Sequence, residues 1–358
     1  MSHPLSAEAA ARLRMDIFAE LQNRVQFGAR PLADFDPLKA SDKELRAHAL
    51  PPQPDAERLP LAFANWKALM SPPFALVPPP REAREFFTVP LLARQHVNIN
   101  KTKGFIGEKS GNWSGAVLRA PVDNLCSRVY GSWTIPLAEP PPEAHQGSSW
   151  SDGTWFSSAW AGLDGHISGS IAMPQMGTQH IAATVGGTLT SSAKAWWQWW
   201  LRDQASNQQI DLPLAVHPGD RVQVSVTVLD PTHVNFFLKN LNLPLPNAVS
   251  FDVSAPALPG SSPEAVEQQT VEWVLERQTE PNGTNLRPFN NYKSCHLHAC
   301  GAVMADASSV PFDVDLLEAG LIEMVGWTDP KNPGRVISAP KKITSPAKLD
   351  VAYVIGVP

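Results

Sequence analysis

The chain is poor in charge and poorer still in sulfur. Of its 358 residues only 18% are Asp, Glu, Lys or Arg, and three are cysteine: Cys126, Cys295 and Cys300. Three cysteines are too few for a disulfide scaffold, and at least one stays unpaired within the chain. No run of about eighteen apolar residues occurs, so no membrane-spanning helix is expected. Met1 to Ala11 lacks the basic stretch and apolar core of a standard signal peptide. The sequence holds no Gly-rich phosphate loop, no Rossmann fingerprint and no His-Glu-x-x-His motif, so no cofactor is expected. Basic residues do not cluster with aromatic ones, and nucleic acid is not an expected partner.

What is abundant is proline and tryptophan, 35 and 12 residues respectively. Prolines at this density interrupt helices and punctuate short strands. Ten of the tryptophans lie between Trp113 and Trp273. Charge divides along the chain: residues 1–111 carry 15 Lys/Arg against 12 Asp/Glu, whereas residues 112–280 carry 7 against 15. A basic segment ahead of an acidic one is consistent with docking of the first over a cleft in the second, or with a chance excess on a solvated surface.

Residues 1–105 read as a helical, Pro-rich N-terminal region. Leu13, Ile17, Leu21 and Val25 recur at helical spacing over residues 6–25, and shorter helical patches follow at Asp42–Leu50 and Asp55–Met70. Five prolines in Ser71–Pro80 mark a linker or extended arm. After the Lys/Gly-rich stretch that ends at Gly111 the pattern becomes one of strands. In Arg221–Asp230, Val222, Val224, Val226 and Val228 share one face and polar residues the other. Further strands are expected at Trp113–Arg119, Arg128–Ile135, Thr154–Leu163, Ala193–Leu201, His233–Asn240, Val249–Val253, Val271–Arg277, His296–Met304 and Val351–Ile355. Many short strands with few helices imply an all-β sandwich or barrel over residues 106–358.

Three segments could carry chemistry. In Val271–Arg277, Glu272, Val274 and Glu276 share a strand face, and two carboxylates one repeat apart can raise each other's pKa for general acid/base work; the plainer reading is a solvated face. In the tryptophan strand, Trp196, Gln198 and Trp200 face one way and Trp197 and Trp199 the other. One face must be core, and the other is either a large exposed aromatic surface for peptide or sugar, or buried under a loop or the N-terminal region. The third segment runs from Trp160 to Asp164 and on to Gln175-Met176-Gly177. A further cluster, Cys295, His296, His298 and Cys300, would place His296, His298 and Cys300 on one strand face with Cys295 turned away; no metal site is expected there, since a short strand closes a tetrahedron poorly.

Together these segments resemble the glutamic peptidase (eqolisin) family. The resemblance rests on six motifs in the family's order: Asn112-Trp113-Ser114-Gly115, Gly131-Ser132-Trp133-Thr134-Ile135-Pro136, Trp160-Ala161-Gly162-Leu163-Asp164-Gly165, Gln175-Met176-Gly177, Ala195-Trp196-Trp197-Gln198-Trp199 and Glu272-Trp273-Val274-Leu275-Glu276. It covers roughly residues 106–358 and departs from the family at Gln198, where a glutamate is usual, and at Lys194, where some relatives are acidic.

The resemblance implies a two-sheet antiparallel, lectin-like β-sandwich that cleaves polypeptides, without a metal, by a Gln175/Glu272 pair and an activated water, at acidic pH. It implies that Trp160, Asp164, Trp196, Gln198 and Glu276 line the cleft, that residues 1–105 are a pro-segment, and that the protein acts outside the cytoplasm. A monomer is expected. The competing expectation is a non-catalytic sandwich that binds glycan or peptide through its aromatic face.

Overall fold

From Gly107 onward the alternating pattern gives strands almost without interruption, in a computed structural model that describes residues 24–32, 34–77, 85–87, 107–146, 149–166, 170–201, 208–256, 262–279, 286–326 and 334–354. In chain order the strands are β1 (Val25–Gln26), β2 (Glu85–Phe87), β3 (Gly107–Ser110), β4 (Trp113–Arg119), β5 (Leu125–Thr134), β6 (His145–Gln146), β7 (Ser149–Trp150), β8 (Gly153–Leu163), β9 (Ala172–Val185), β10 (Thr188–Leu201), β11 (Gln208–Asp211), β12 (Arg221–Asp230), β13 (His233–Asn240), β14 (Ala248–Ser254), β15 (Thr270–Glu276), β16 (Ser294–Ala305), β17 (Pro311–Val314), β18 (Gly320–Val325), β19 (Val336–Pro340) and β20 (Leu349–Tyr353). Helices α1 (Asp42–Ala47) and α2 (Pro60–Met70) lie between β1 and β2. The helix expected over residues 6–25 falls almost wholly outside the described residues.

Two layers result. The front sheet runs β2–β11–β10–β9–β8–β15–β4–β18–β3. The back sheet runs β1–β14–β13–β12–β5–β16, with β17 and β20 pairing along different halves of β16. Strands β19 and β20 join the layers by bridging β18 to β16. These pairings are antiparallel except β3 with β18.

Between the layers lies the main core. Val222, Val224 and Val226 enter it from the back sheet, and Ala159, Ala161, Met176, Trp197, Val271, Trp273 and Leu275 from the front. Trp197 packs on Phe236 and Phe251 at ring-centroid distances of 5.4 and 5.3 Å. Several polar side chains in this layer bond to one another. Trp133 Nε1 donates to Thr178 Oγ1 at 2.9 Å, and His180 lies between Ser157 and Thr178 at 3.1 and 2.9 Å. Burial pushes the His180 pKa down to about 3.

Of the N-terminal region, residues 34–77 dock on the outer face of the back sheet, whereas Glu85–Phe87 form β2 at the edge of the front sheet. Ser41 caps α1 in a capping box with Glu44. Asp313 does the same work for α2 from a distance, accepting from the N–H groups of Leu61 at 2.6 Å and Ala62 at 3.1 Å. Trp66, Leu69 and Met70 pack with Phe237 and Ala248, and Leu59 and Ala62 with Tyr130 and Val303. Lys239 Nζ donates to the carbonyls of Leu69 and Ser71 at 3.0 and 2.6 Å, and Asn235 Nδ2 to that of Ala49 at 2.8 Å. The expectation of charge-driven docking over a cleft is therefore overturned for residues 34–77. Apolar burial and backbone carbonyls hold them to the opposite side of the sandwich.

The Cys295–Cys300 stretch also departs from simple alternation. Ala299 adopts φ 48°, and the β16 register shifts between His298 and Gly301, so Cys300 turns inward and joins Cys295 in the core. His296 faces solvent and pairs with Asp350 at 2.6 Å. Three ligands on one strand face do not form.

Candidate active site

The strand register brings the outer face of the front sheet into ordered rows. One row reads Val117, Glu272, Gly162, Gln175, Gln198 across β4, β15, β8, β9 and β10. The next reads Gly115, Val274, Trp160, Gly177, Trp196, and a third Trp113, Glu276, Ser158, Gln179, Lys194. Residues opposite each other on neighbouring strands project to the same side, so each row lies on one face. Gln175 and Glu272, 97 positions apart in sequence, thus stand two strands apart in one row, with backbones about 9–10 Å from each other.

The residue between them is Gly162. A Cβ there would meet Gln175 Cβ at 2.8 Å, the Pro174 carbonyl oxygen at 2.9 Å and Trp160 Cζ3 at 3.2 Å. The missing side chain leaves the space into which the Gln175 and Glu272 side chains can converge. Gly177 does the same between two rings in the next row: a Cβ there would lie 2.6 Å from Trp160 Cβ. These glycines stand inside the Trp160–Gly165 and Gln175–Gly177 motifs, but sequence reasoning gave them no role. Their spacing value appears only once the strands are in register.

Hydrogen bonds tie the rows together. Gln175 Nε2 donates to Gln198 Oε1 at 2.8 Å, Trp160 Nε1 to Glu276 Oε2 at 2.9 Å, and Trp196 Nε1 to Ser158 Oγ at 2.9 Å. Trp113 meets Trp160 edge-on at 4.9 Å. A chain of amides adds a feature that sequence reasoning missed: Gln179 Nε2 donates to Gln278 Oε1 at 2.6 Å, and Gln278 Nε2 to Gln209 Oε1 at 2.9 Å. Gln278 continues the face of Glu272 and Glu276 by alternation, which is the signal that could have found it.

This face is buried. Glu272, Trp160 and Trp196 are 0% exposed and Glu276 is 3% exposed. The solvated strand face and the open aromatic surface are thus both overturned. Trp113, Val117, Trp160, Met173, Trp196, Trp200 and Val274 pack on one another as a second core. Burial pushes the Glu276 carboxyl up to about 8, against the opposing hydrogen bond from Trp160. Burial likewise pushes Asp164 up to about 6, although it accepts from the N–H groups of Gln269, Gln268 and Thr270. Those bonds, at 2.7, 2.8 and 3.4 Å, make Asp164 a clamp on the turn that leads into β15. Lys194 is paired with Asp211 at 2.9 Å. Among the described residues, no three His, Cys, Asp or Glu side chains come together as a metal site.

A β-sandwich that places an amide and a carboxylate in one cross-strand row, with a glycine between them, carries groups suited to hydrolysis with activated water. The chain belongs to the Peptidase A4 family, whose model matches residues 111–332. It is a peptidase of the glutamic type. Solved structures similar to it include Scytalido-glutamic peptidase with a peptide-based transition state analog, at 21% identity and TM-score 0.48 over 68% of this chain and 98% of that one. SCP-B, a member of the eqolisin family in complex with the tripeptide Ala-Ile-His, aligns at 20% identity and TM-score 0.45 over 68% and 98%. Aspergilloglutamic peptidase from Aspergillus niger aligns at 19% and 0.40 over 56% and 99%. No curated protein matches the chain. No helix among the described residues is long and apolar enough to cross a membrane.

Proposed function

We propose that the protein is an endopeptidase acting at acidic pH, in which Glu272 and Gln175 perform the hydrolysis. The observation that carries this reading is the shared row, with Gly162 leaving the space between the two side chains. Glu272, as carboxylate, takes a proton from a water molecule, whose oxygen attacks the scissile carbonyl carbon. The carbonyl oxygen becomes negative, and the Gln175 amide donates to it. One Nε2 hydrogen is engaged by Gln198 Oε1, which fixes the amide plane and leaves the second hydrogen for the oxyanion. Glu272 then passes its proton to the leaving nitrogen as the C–N bond breaks.

A neutral amide suits the donor position because a carboxylate could donate only when protonated. Trp160 and Trp196 wall the row, and Glu276 holds Trp160 through its indole N–H. Asp164 positions the start of β15, and with it Glu272, two residues beyond Thr270. Casein digestion by the full-length protein from pH 3 to 7 tests the reading. The expected result is internal cleavage, fastest at the acid end; a protein that only binds peptide or glycan gives none at any pH.

A further inference from the structure

On the other side of β15 from Glu276 the chain builds a cavity. Its volume is about 330 Å³, and it lies where β15, β18 and β20 end and β8 and β19 begin. Its walls include the rings of Trp155, Phe289 and Tyr353, and two arginines, Arg277 and Arg335, reach into it.

The charges there are not balanced. Arg277 Nε donates to the Arg287 carbonyl at 2.8 Å, but no carboxylate of the described residues lies within 4 Å of its guanidinium. Burial lowers its pKa, the signature of a cation short of compensation. Arg335 meets Glu143 only at 3.8 Å, with the Glu143 side chain 63% exposed. Arg335 Nε is buried without a hydrogen-bond partner among the described residues. The Tyr353 phenol lies within the electrostatic reach of Glu143, the one carboxylate among the described lining residues against two arginines, and of both guanidinium groups. A half-buried guanidinium with unused donors is costly unless an anion completes it, and its planar fork matches a carboxylate. The aromatic walls ask for an apolar body attached to that carboxylate.

We propose that this cavity binds a small carboxylate with an apolar body, one that Arg277, Arg335 and the Tyr353 hydroxyl grip by its oxygens while Trp155 and Phe289 enclose the rest. Two sources share that chemistry: the C-terminal residue of a peptide, which peptide hydrolysis itself generates, and a free aromatic acid. The site does not depend on the assignment of Gln175 and Glu272.

Calorimetric titration of the full-length protein near pH 6 with N-acetylphenylalanine, its carboxamide and phenylacetate tests it. N-acetylphenylalanine should bind at one site, and the carboxamide about tenfold more weakly or worse, since it loses the charge-assisted bonds. Arg335→Gln should weaken the acid by about the same factor and leave casein cleavage unchanged; Tyr353→Phe should weaken it as well. Phenylacetate as tight as N-acetylphenylalanine assigns the site to free acids, and much weaker binding assigns it to peptide termini. Equal binding of acid and amide, no binding of either acid, or binding unchanged in Arg335→Gln but lost in Glu272→Gln would overturn the proposal, the last because it puts the ligand in the front-sheet row.

Discussion

Glu272 and Gln175 stand in one cross-strand row with only Gly162 between them, and the Gln175 amide is anchored on its far side by Gln198 at 2.8 Å. Each feature of that relationship gives an outcome that can be measured.

Gly162→Ala is the sharpest steric test. The new methyl would meet Gln175 Cβ at 2.8 Å and the Pro174 carbonyl oxygen at 2.9 Å. Overpacking of this kind costs about 1–3 kcal/mol. We expect a Tm lower than wild type, and proteolysis reduced by more than the loss of folded protein explains. Wild-type kcat/KM in a folded variant would show that the gap is not used.

How much of this was legible beforehand differs by element. β4, β12 and β13 have the bounds expected from alternation, because each has a clean apolar period or sharp turns at both ends. β9, which carries Gln175, is not among the strands that alternation marks. Its sequence, Ala172–Val185, includes Pro174 and Gly177 and mixes Gln, Thr and His, since both of its faces are buried and each is partly polar. A strand that satisfies its side chains on both sides shows no period-2 signal. Gln175 and Glu272 were found through motif resemblance, and the role of Gly162 needed the register. Burial of the tryptophan face is one of two readings the sequence leaves open, because alternation tells which residues share a face, not whether that face is covered.

Gln198→Glu probes the charge of the row. A carboxylate can still accept from Gln175, but when ionised it adds a second negative group to the row of Glu272 and opposes the developing oxyanion. Activity should persist at low pH and fall earlier as pH rises, moving the upper limb of the pH–rate profile to lower pH. A superimposable profile would argue against Gln198 as the anchor of the Gln175 amide.

Glu276 should dominate the stability profile between pH 6.5 and 8. Its folded pKa of about 8 lies above the ordinary glutamate value of 4.5, so the folded state holds a proton that the unfolded state releases, and stability falls as pH rises through that window. Asp164 acts in the same direction only up to about 6, and His180 destabilises in the opposite direction, as pH falls from 6.5 toward 3. Between pH 6.5 and 8 Glu276 is left alone among these three, and its contribution falls by about 2 kcal/mol. Tm should decline over that interval in the wild type and be nearly flat in Glu276→Gln; equal slopes would contradict the assignment.

The N-terminal region should behave as part of the sandwich. Removing residues 1–105 uncovers the face of Phe237, Tyr130 and Ala248 and leaves Lys239 without the carbonyls of Leu69 and Ser71. We expect the chain that begins at Ile106 to melt about 10 °C or more below full length, or to aggregate. A pro-segment that is only a cover predicts the reverse: an unchanged Tm with higher activity at neutral pH.

The most direct test of the account is Glu272→Gln, which keeps size and hydrogen bonding but removes the base. Casein cleavage should fall to near background at every pH while the protein stays folded, and EDTA should not change the wild-type rate. Wild-type proteolysis by Glu272→Gln, or its abolition by EDTA in the unmodified protein, would contradict the central claim.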